Sequence, residues 1–231
     1  MKNNFEQISV NEREFYTYSA EYLYSKLRAI SKNKRNISIA LSGGLTPLPI
    51  LSILKEYKLN WEYFNFFMVD ERNVSVSSPS SNYGNIARVF FKDINCASYS
   101  MIKDSYSIEE CALNYEKLLC SKVPSGENGF PIFDLILLGI GNDGHTASLF
   151  PHTVGLDESN KVVITNIIPQ LSTERITLSY PVILSATKVV ILTKGDAKNK
   201  ILEEIEMGNG SHYPIARIIN SDVDTTCISA I

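Results

Sequence analysis

Short apolar segments separated by helical stretches are the feature that most constrains how this chain can fold. Five such segments follow one another: "NISIAL" (36–41), "YFNFFMV" (63–69), "FDLILL" (133–138), "RITLSY" (175–180) and "TKVVILT" (187–193). Apolar strands that alternate with helices are typical of a parallel sheet covered by helices on both faces. We therefore predict an α/β fold built on a Rossmann-like, mostly parallel sheet.

Apolar residues at helical spacing lie before, between and after these segments. They indicate five helices, over residues 20–32, 47–57, 85–91, 107–122 and 194–207. Pro47 stands where a helix can begin, because proline suits the first helical turn. No internal repeat and no linker long enough to divide the chain is visible. Residues 1–231 are therefore predicted to form a single domain.

Composition and charge exclude several classes of protein. The 231 residues carry a net charge of −3, and 44% are apolar, so the chain can bury a core and has no basic block for nucleic acid. The amino terminus lacks the apolar core of a signal peptide, and no apolar run is long enough to span a bilayer. Four scattered cysteines without a C-x-x-C pair indicate thiols in a reducing compartment. We expect a cytoplasmic protein without nucleic-acid or membrane partners.

Three loops with unusual chemistry follow predicted strands. They are "SGGLTP" after 36–41, "DERNV" after 63–69 and "GIGNDGH" after 133–138. In an open parallel sheet, functional loops leave the carboxyl ends of the strands. If the three strands are neighbours, their loops converge on one crevice, and this convergence carries more weight than any single motif.

The first loop places Ser42, Gly43, Gly44 and Thr46 between a strand and a helix. Glycines let backbone N–H groups approach a ligand closely, and a helix N-terminus favours an anion. Phosphate binding is one interpretation, and a tight strand-to-helix turn with Thr46 as N-cap is the other. The loop is not a P-loop, because the G-K-[ST] ending is absent.

The second loop places Asp70, Glu71 and Arg72 at a strand end. Arginine presents a planar fork of fixed charge that suits phosphate. In the alternative interpretation, Glu71 and Arg72 pair at the surface, which would contribute little to stability.

The third loop contains three glycines at the G-x-G-x-x-G spacing of a dinucleotide-binding turn. Such a turn opens a helix of several turns, and Pro151 stops one here, so NAD binding is not expected. His145 follows the glycines, and a histidine needs little perturbation to act as a base near neutral pH. Asp143 is placed to hold its imidazole in one tautomer. A solvated or structural histidine is the alternative.

Further residues suit a helix start or an anion site. Ser81 or Asn82 in "SNYGN" fits a helix N-cap. Arg175 opens a strand segment, and Lys198 lies in the first turn of the last predicted helix. A cation at that point opposes the helix dipole, which makes sense if an anion binds nearby.

Six motifs together carry a resemblance to a known family. In order, "ALSGGLTP", "DERNV", "SNYGNIA", "LLGIGNDGHTASLFP", "ERITLSYPVI" and "KGDAK", across residues 40–198, resemble the 6-phosphogluconolactonases. These share the fold of the glucosamine-6-phosphate deaminases, within one family of isomerases and lactonases. "DGHTASLFP" is the most specific motif. The deaminases share "DGH" but usually carry Asp-Glu-Tyr where this chain has "DER".

The resemblance implies an activity and a set of site residues. The activity is hydrolysis of a phosphorylated sugar lactone, 6-phospho-D-glucono-1,5-lactone, to 6-phosphogluconate in the oxidative pentose phosphate pathway, with no cofactor and no metal. His145 is then the general base that activates water, and Asp143 orients it. The residues that it assigns to substrate binding are Ser42, Gly43, Gly44, Thr46, Asp70, Arg72, Asn82, Arg175 and Lys198. A functional association with glucose-6-phosphate dehydrogenase is left open.

The chain departs from the family pattern in two places. Leu45 stands where the family usually has a second serine in the glycine loop. The carboxyl end, "NSDVDTTCISAI", lacks the usual Trp-containing strand, which puts the last strand of the sheet in question. Two rival functions use the same fold: a sugar-phosphate isomerase or deaminase, and a sugar-phosphate-binding module without catalysis. His145 and Asp143 favour an enzyme, because a sensor needs no base.

Overall fold

A computed structural model describes residues 4–231 of the chain. Its centre is a seven-stranded sheet in which every neighbouring pair of strands is parallel. In spatial order the strands are β1 (Phe5–Val10), β10 (Thr225–Ala230), β9 (Val189–Lys194), β6 (Leu135–Gly139), β2 (Ile37–Leu41), β3 (Phe64–Met68) and β5 (Ala97–Tyr99). The predicted α/β fold with a mostly parallel sheet is confirmed.

Helices connect the strands. Within the described residues they are α1 (Phe15–Asn33), α2 (Pro47–Leu54), α3 (Asn82–Val89), α4 (Ile108–Lys122), α5 (Tyr180–Leu184), α6 (Asp196–Glu206) and α7 (Ala216–Ile219). The five helices expected from periodicity are all present, with ends that differ by a few residues. Ser81 is the N-cap of α3, since its Oγ accepts a hydrogen bond from the N–H of Gly84 at 2.9 Å. The side chain of Thr46 makes no such bond to α2.

The prediction that the segment 175–180 joins the parallel sheet is wrong. β8 (Thr173–Leu178) lies instead in a three-stranded antiparallel sheet, between β4 (Asp70–Arg72) and β7 (Val163–Ile168). The sequence "RITLSY" alternates polar and apolar residues, which is the pattern of an antiparallel strand rather than of a doubly buried parallel one. The "DER" loop residues thus form a strand of their own.

The carboxyl end contributes a full strand to the sheet. β10 lies between β1 and β9, and all six of its residues are buried. Cys227 and Ile228 supply apolar side chains with 0% exposure. The last strand therefore forms without the tryptophan of the family pattern.

The order of the strands creates a crevice between β2 and β6. From β2 the chain proceeds to β3 and β5 on one side, and it returns on the other side through β6, β9 and β10. In open α/β sheets, ligands bind at such a switch point, outside the carboxyl ends of the strands. The loops that leave β2 and β6 there are "SGGLTP" and "GIGNDGH".

Burial of the central strands explains their apolar composition. All five residues of β2 and five of the six residues of β9 are buried, as expected for strands covered on both faces. Within residues 4–231, none of the helices combines the length and the hydrophobicity required to cross a bilayer.

Glu71 of β4 is a fully buried carboxylate that fixes the start of α3. Its Oε1 accepts hydrogen bonds from the N–H groups of Arg72 and Asn82 at 2.8 and 2.7 Å. Its Oε2 accepts from the N–H of Tyr83 and the Oγ–H of Ser81 at 2.8 and 3.0 Å. Burial raises the pKa of Glu71, and the backbone N–H groups oppose this rise. The surface ion pair between Glu71 and Arg72 that the sequence allowed is therefore not formed.

Glu71→Gln is expected to lower the free energy of unfolding by about 1–3 kcal/mol, because the amide NH₂ faces donors and leaves a buried N–H group without an acceptor. Chemical denaturation followed by circular dichroism measures this change. Glu127→Gln is the matched control, since Glu127 is exposed. Equal stability of the two variants would contradict the structural role of Glu71.

Candidate active site

One pocket with a volume of about 170 Å³ lies at the switch point of the sheet. Loops from both sheets line it. It is lined by every site residue predicted from the sequence except Asp143, namely Ser42, Gly43, Gly44, Thr46, Asp70, Arg72, Asn82, His145, Arg175 and Lys198. Asp143 is outside this lining and contacts His145, which belongs to it. Residues far apart in sequence thus share one cavity.

The imidazole of His145 is held by Asp143 on the loop that follows β6. Nδ1 of His145 is 2.5 Å from Oδ1 of Asp143, and the backbone N–H of His145 donates to the same oxygen at 3.2 Å. Because a carboxylate only accepts hydrogen bonds, Nδ1 carries the proton in the neutral imidazole, and the lone pair is then on Nε2. The His145 side chain is 26% exposed. The pocket wall therefore contains an imidazole that can accept a proton.

Gly141 and Gly144 give the histidine loop its shape. A Cβ on Gly141 would lie 2.1 Å from Nδ1 and from Cε1 of His145, so only glycine leaves room for the ring. Gly144 has a φ of 76°, and a Cβ there would lie 2.4 Å from the Tyr213 ring. The loop continues into tight turns, and no helix opens at the glycines. The glycine spacing thus serves the placement of His145 rather than a dinucleotide.

The glycine loop after β2 contains polar groups without protein partners. Gly44 has a φ of 97°, in the left-handed region that glycine tolerates. A Cβ on Gly43 would lie 2.0 Å from Oδ1 of Asn82, so the loop backbone lies directly against that side chain. Within the described residues, the N–H groups of 43–46 donate to no protein acceptor, and Oγ of Ser42 is buried without a partner. The buried Ser42 hydroxyl without a partner, beside N–H groups that no protein acceptor occupies, suits a site that binds a polar ligand.

Arg72 and Arg175 stand directly opposite each other on β4 and β8. Like charges at opposed positions repel, and neither arginine forms an ion pair within residues 4–231. Nε of each is buried without a partner. Burial lowers the pKa of Arg175, the charge of Arg72 adds to this, and the carboxylates of Asp70 and Glu71 oppose it. An anion bound beside the two side chains would remove their repulsion.

Lys198 adds a third cation from the first turn of α6. Burial lowers the pKa of Lys198, and the described part of the chain supplies no ion-pair partner for it. The dipole of α6 opposes a cation at this position. Three cations without ion-pair partners therefore line one pocket that holds a single carboxylate, Asp70, which favours a ligand with two negative charges, such as a phosphate ester.

Asp70 connects the loops around the pocket and is itself only 5% exposed. Its Oδ2 accepts a hydrogen bond from Oγ of Ser148 at 2.7 Å. Nδ2 of Asn82 donates to the Asp70 carbonyl at 3.0 Å and to Oδ1 at 3.3 Å. Ser148 belongs to the histidine loop, and Asn82 lies against Gly43 of the glycine loop. A single carboxylate thus joins the elements that carry the base and the cations.

Sequence reasoning missed three residues around this pocket. Ser148 bonds Asp70, Glu71 fixes the start of α3, and the ring of Phe150 stacks on the His145 imidazole. Ser148 and Phe150 belong to "DGHTASLFP", the most specific motif of the chain, so a signal for them was present. Glu71 belongs to the motif "DERNV", but a glutamate beside an arginine in sequence does not show whether the carboxylate is buried or exposed.

Comparison with protein families places the chain. The family described as "Glucosamine-6-phosphate isomerases/6-phosphogluconolactonase" matches residues 11–227. The chain belongs to this family. The family resemblance of the sequence motifs is thereby confirmed.

Relatives within the family are similar over most of their length. The 6-phosphogluconolactonase of Chlamydia pneumoniae is 34% identical over 206 residues, which cover 87% of this chain and 77% of that protein. The 6-phosphogluconolactonase of Synechocystis is 40% identical over 171 residues, 73% of this chain and 70% of the relative. The crystal structure of 6-phosphogluconolactonase from Thermotoga maritima matches with a TM-score of 0.85 and 26% identity, covering 98% of this chain and 99% of that one. The enzyme from Trypanosoma brucei matches with a TM-score of 0.86 and 27% identity, over 97% and 95%.

Gly141→Ala is expected to displace the His145 imidazole, because the new Cβ needs space that the ring occupies. In NMR spectra of the histidine rings, the His145 signals should move, while those of the exposed His152 and His212 stay in place. Gly139→Ala is the matched control, since its Cβ would meet nothing closer than 3.9 Å. Unmoved His145 signals in Gly141→Ala would show that the glycine does not make room for the ring.

Proposed function

We propose that the chain hydrolyses 6-phospho-D-glucono-1,5-lactone to 6-phosphogluconate. The observation that carries the proposal is one pocket in which an imidazole oriented by a carboxylate is combined with three cations that form no ion pair within the described residues. A phosphorylated lactone has the two groups that such a pocket suits, an ester carbonyl open to attack by water and a phosphate. The activity named for the relatives agrees with this substrate.

His145 is the general base of the proposed reaction. Its Nε2 takes a proton from water as the water oxygen attacks C1 of the lactone, and the carbonyl becomes a tetrahedral oxyanion. When the oxyanion collapses, the bond between C1 and the ring oxygen breaks, and the imidazolium returns its proton to that oxygen. Asp143 holds Nδ1–H and stabilises the imidazolium between the two steps. General base catalysis of this kind contributes roughly 10²–10⁴-fold.

The phosphate occupies the cationic side of the pocket in this proposal. Arg72, Arg175 and Lys198 donate charge-assisted hydrogen bonds to it, and the free N–H groups of 43–46 at the start of α2 add dipoles of the same sign. Because the phosphate is remote from C1, its binding energy positions the lactone for attack.

Polar groups that are buried without partners complete the substrate site. Oγ of Ser42 and Oδ1 of Asn82 are in this state, and we assign them to sugar hydroxyls, with Thr46 and Asp70 beside them in the lining. The N–H of Gly141 already donates to the His145 carbonyl at 2.8 Å, so it is not assigned to the oxyanion.

The route needs only the chain, the substrate and water. His145 carries every proton that moves, so the proposal includes neither a metal nor an organic cofactor. The reaction belongs to the oxidative pentose phosphate pathway, where glucose-6-phosphate dehydrogenase makes the lactone. The proposal therefore places the chain in the cytoplasm, in functional association with that dehydrogenase.

An assay with two substrates tests the proposal against the other activity in the family. The protein should hydrolyse freshly made 6-phosphogluconolactone faster than the spontaneous reaction, and it should release no ammonia from glucosamine 6-phosphate. Ammonia release without lactone hydrolysis would assign the chain to the deaminases. Turnover of neither substrate would overturn the proposal in favour of a binding module.

His145→Ala is expected to lower kcat for the lactone by about 10²–10⁴-fold, because the general base is lost, while KM changes little. Steady-state rates corrected for spontaneous hydrolysis measure this. His152→Ala, at an exposed histidine, is the control and should match the unchanged protein. A kcat close to normal in His145→Ala would remove His145 from the role of base.

Arg175→Met is expected to raise KM at least about tenfold through loss of charge-assisted bonds to the phosphate, with a smaller effect on kcat. The free energy of unfolding without ligand should change by no more than about 1 kcal/mol, since relief of the repulsion from Arg72 offsets the loss of the attraction to Asp70 and of the contact with Phe150. Kinetics and chemical denaturation measure the two effects, with the exposed Arg13→Met as control. An unchanged KM would rule out Arg175 as a phosphate ligand.

A further inference from the structure

Phe150 is a large apolar side chain that lies outside the hydrophobic core. It is 4% exposed, yet the continuous cluster of buried apolar residues does not include it. Its ring lies instead against two polar groups that line the pocket, the imidazole of His145 and the guanidinium of Arg175. Burial of this ring therefore serves the site rather than the core.

The His145 imidazole lies face to face with the Phe150 ring. The two centroids are 3.8 Å apart, and the planes differ by 18°. Asp143 holds the edge of the imidazole through Nδ1, and the backbone of Gly141 closes a further side, since a Cβ there would lie 2.1 Å from the ring. Phe150 thus packs against one face of the imidazole, while Asp143 holds its edge and Gly141 bounds a further side.

The Arg175 guanidinium lies over the same aromatic ring. Its central carbon is 5.3 Å from the Phe150 centroid, within the range of a cation–π interaction. Within the described residues, Nε of Arg175 has no hydrogen-bond partner, and the side chain forms no ion pair. The aromatic face thus supports the guanidinium when no anion is bound.

We propose that Phe150 is a positioning residue that holds the base and the phosphate-binding arginine at a fixed separation. This rests on the proposed function, in which His145 is the base and Arg175 binds the phosphate. Both groups pack on one rigid ring, so the ring sets their separation. A substrate held by its phosphate at Arg175 then presents C1 to the base, and small errors in such placement lower rates strongly.

The aromatic face also stabilises the charge that forms on His145 during the reaction. A ring face attracts an imidazolium more strongly than a neutral imidazole. The contact between Phe150 and His145 is therefore stronger in the transition state than with substrate bound, and an interaction of this kind raises kcat. An aliphatic side chain of similar burial has no such preference.

Phe150→Leu removes the ring and keeps an apolar side chain. We expect kcat for the lactone to fall about tenfold and KM to rise about threefold, from loss of the stacking and cation–π contacts. Phe150→Tyr retains the aromatic face and should keep both constants within about twofold of normal.

Phe133→Leu is the control that distinguishes the loss of an aromatic ring from the core from the loss of the ring that positions His145 and Arg175. Phe133 is fully buried, belongs to the continuous core and packs edge-on against Phe67 with centroids 5.6 Å apart. Its truncation should cost at least as much stability as Phe150→Leu and leave kcat and KM of the folded protein unchanged. Normal kinetics in Phe150→Leu, or an equal loss of kcat in Phe133→Leu, would overturn the proposal.

The stacking can be measured without turnover. The ring current of Phe150 should move the His145 ring protons upfield of those of the exposed His152, and Phe150→Leu should abolish the displacement. Absence of the displacement in the unchanged protein overturns the role of Phe150 whatever the activity. If the displacement is present but the unchanged protein does not hydrolyse the lactone, the proposed function fails and the kinetic role of Phe150 fails with it. Lactone hydrolysis with normal kinetics in Phe150→Leu rejects Phe150 alone and leaves His145 as the base.

Discussion

The carboxylate of Asp70, buried to all but 5%, accepts hydrogen bonds from Ser148 and Asn82, and through them it joins the loops around the pocket. Burial of a carboxylate lowers the stability of the fold unless hydrogen bonds compensate for the lost water. The hydrogen bonds from Ser148 and Asn82 are therefore both needed in the folded protein. Ser148 carries the loop of His145. Asn82 starts α3 and lies against Gly43. Asp70 therefore connects the loop of the base to the glycine loop of the anion site.

The pocket also contains groups that lower the stability of the protein when no ligand is bound. Arg72 and Arg175 repel each other from opposed positions on the adjacent strands β4 and β8. The positive charge of Lys198 is unfavourable at the N-terminal end of the α6 dipole. Ala147, two residues after His145, has a φ of 51°, in a region that a residue with a Cβ rarely adopts. Such strain persists where the surrounding structure determines it and concentrates at functional sites. A bound dianion would balance the charges.

The sequence predicts those parts of the structure that depend on local patterns. The strands β2, β3, β6 and β9 are short apolar segments, and the bond of His145 to Asp143 joins residues two positions apart, so both could be inferred before the fold was known. Pairing of distant strands has no local pattern. The opposition of Arg72 and Arg175 follows from the antiparallel register of β4 and β8, and three of the four donors to Glu71 reach it only once the start of α3 is in place. The prediction for the segment 175–180 was wrong because its alternating pattern was given less weight than its apolar content.

A crystal structure with 6-phosphogluconate bound would test the account most directly. In the proposed site, the phosphate contacts Arg175, Lys198 and the N–H groups of residues 43–46. It also predicts that the C1 carboxylate lies within hydrogen-bond distance of Nε2 of His145. A phosphate bound outside this pocket, or a C1 carboxylate directed away from His145, would contradict it.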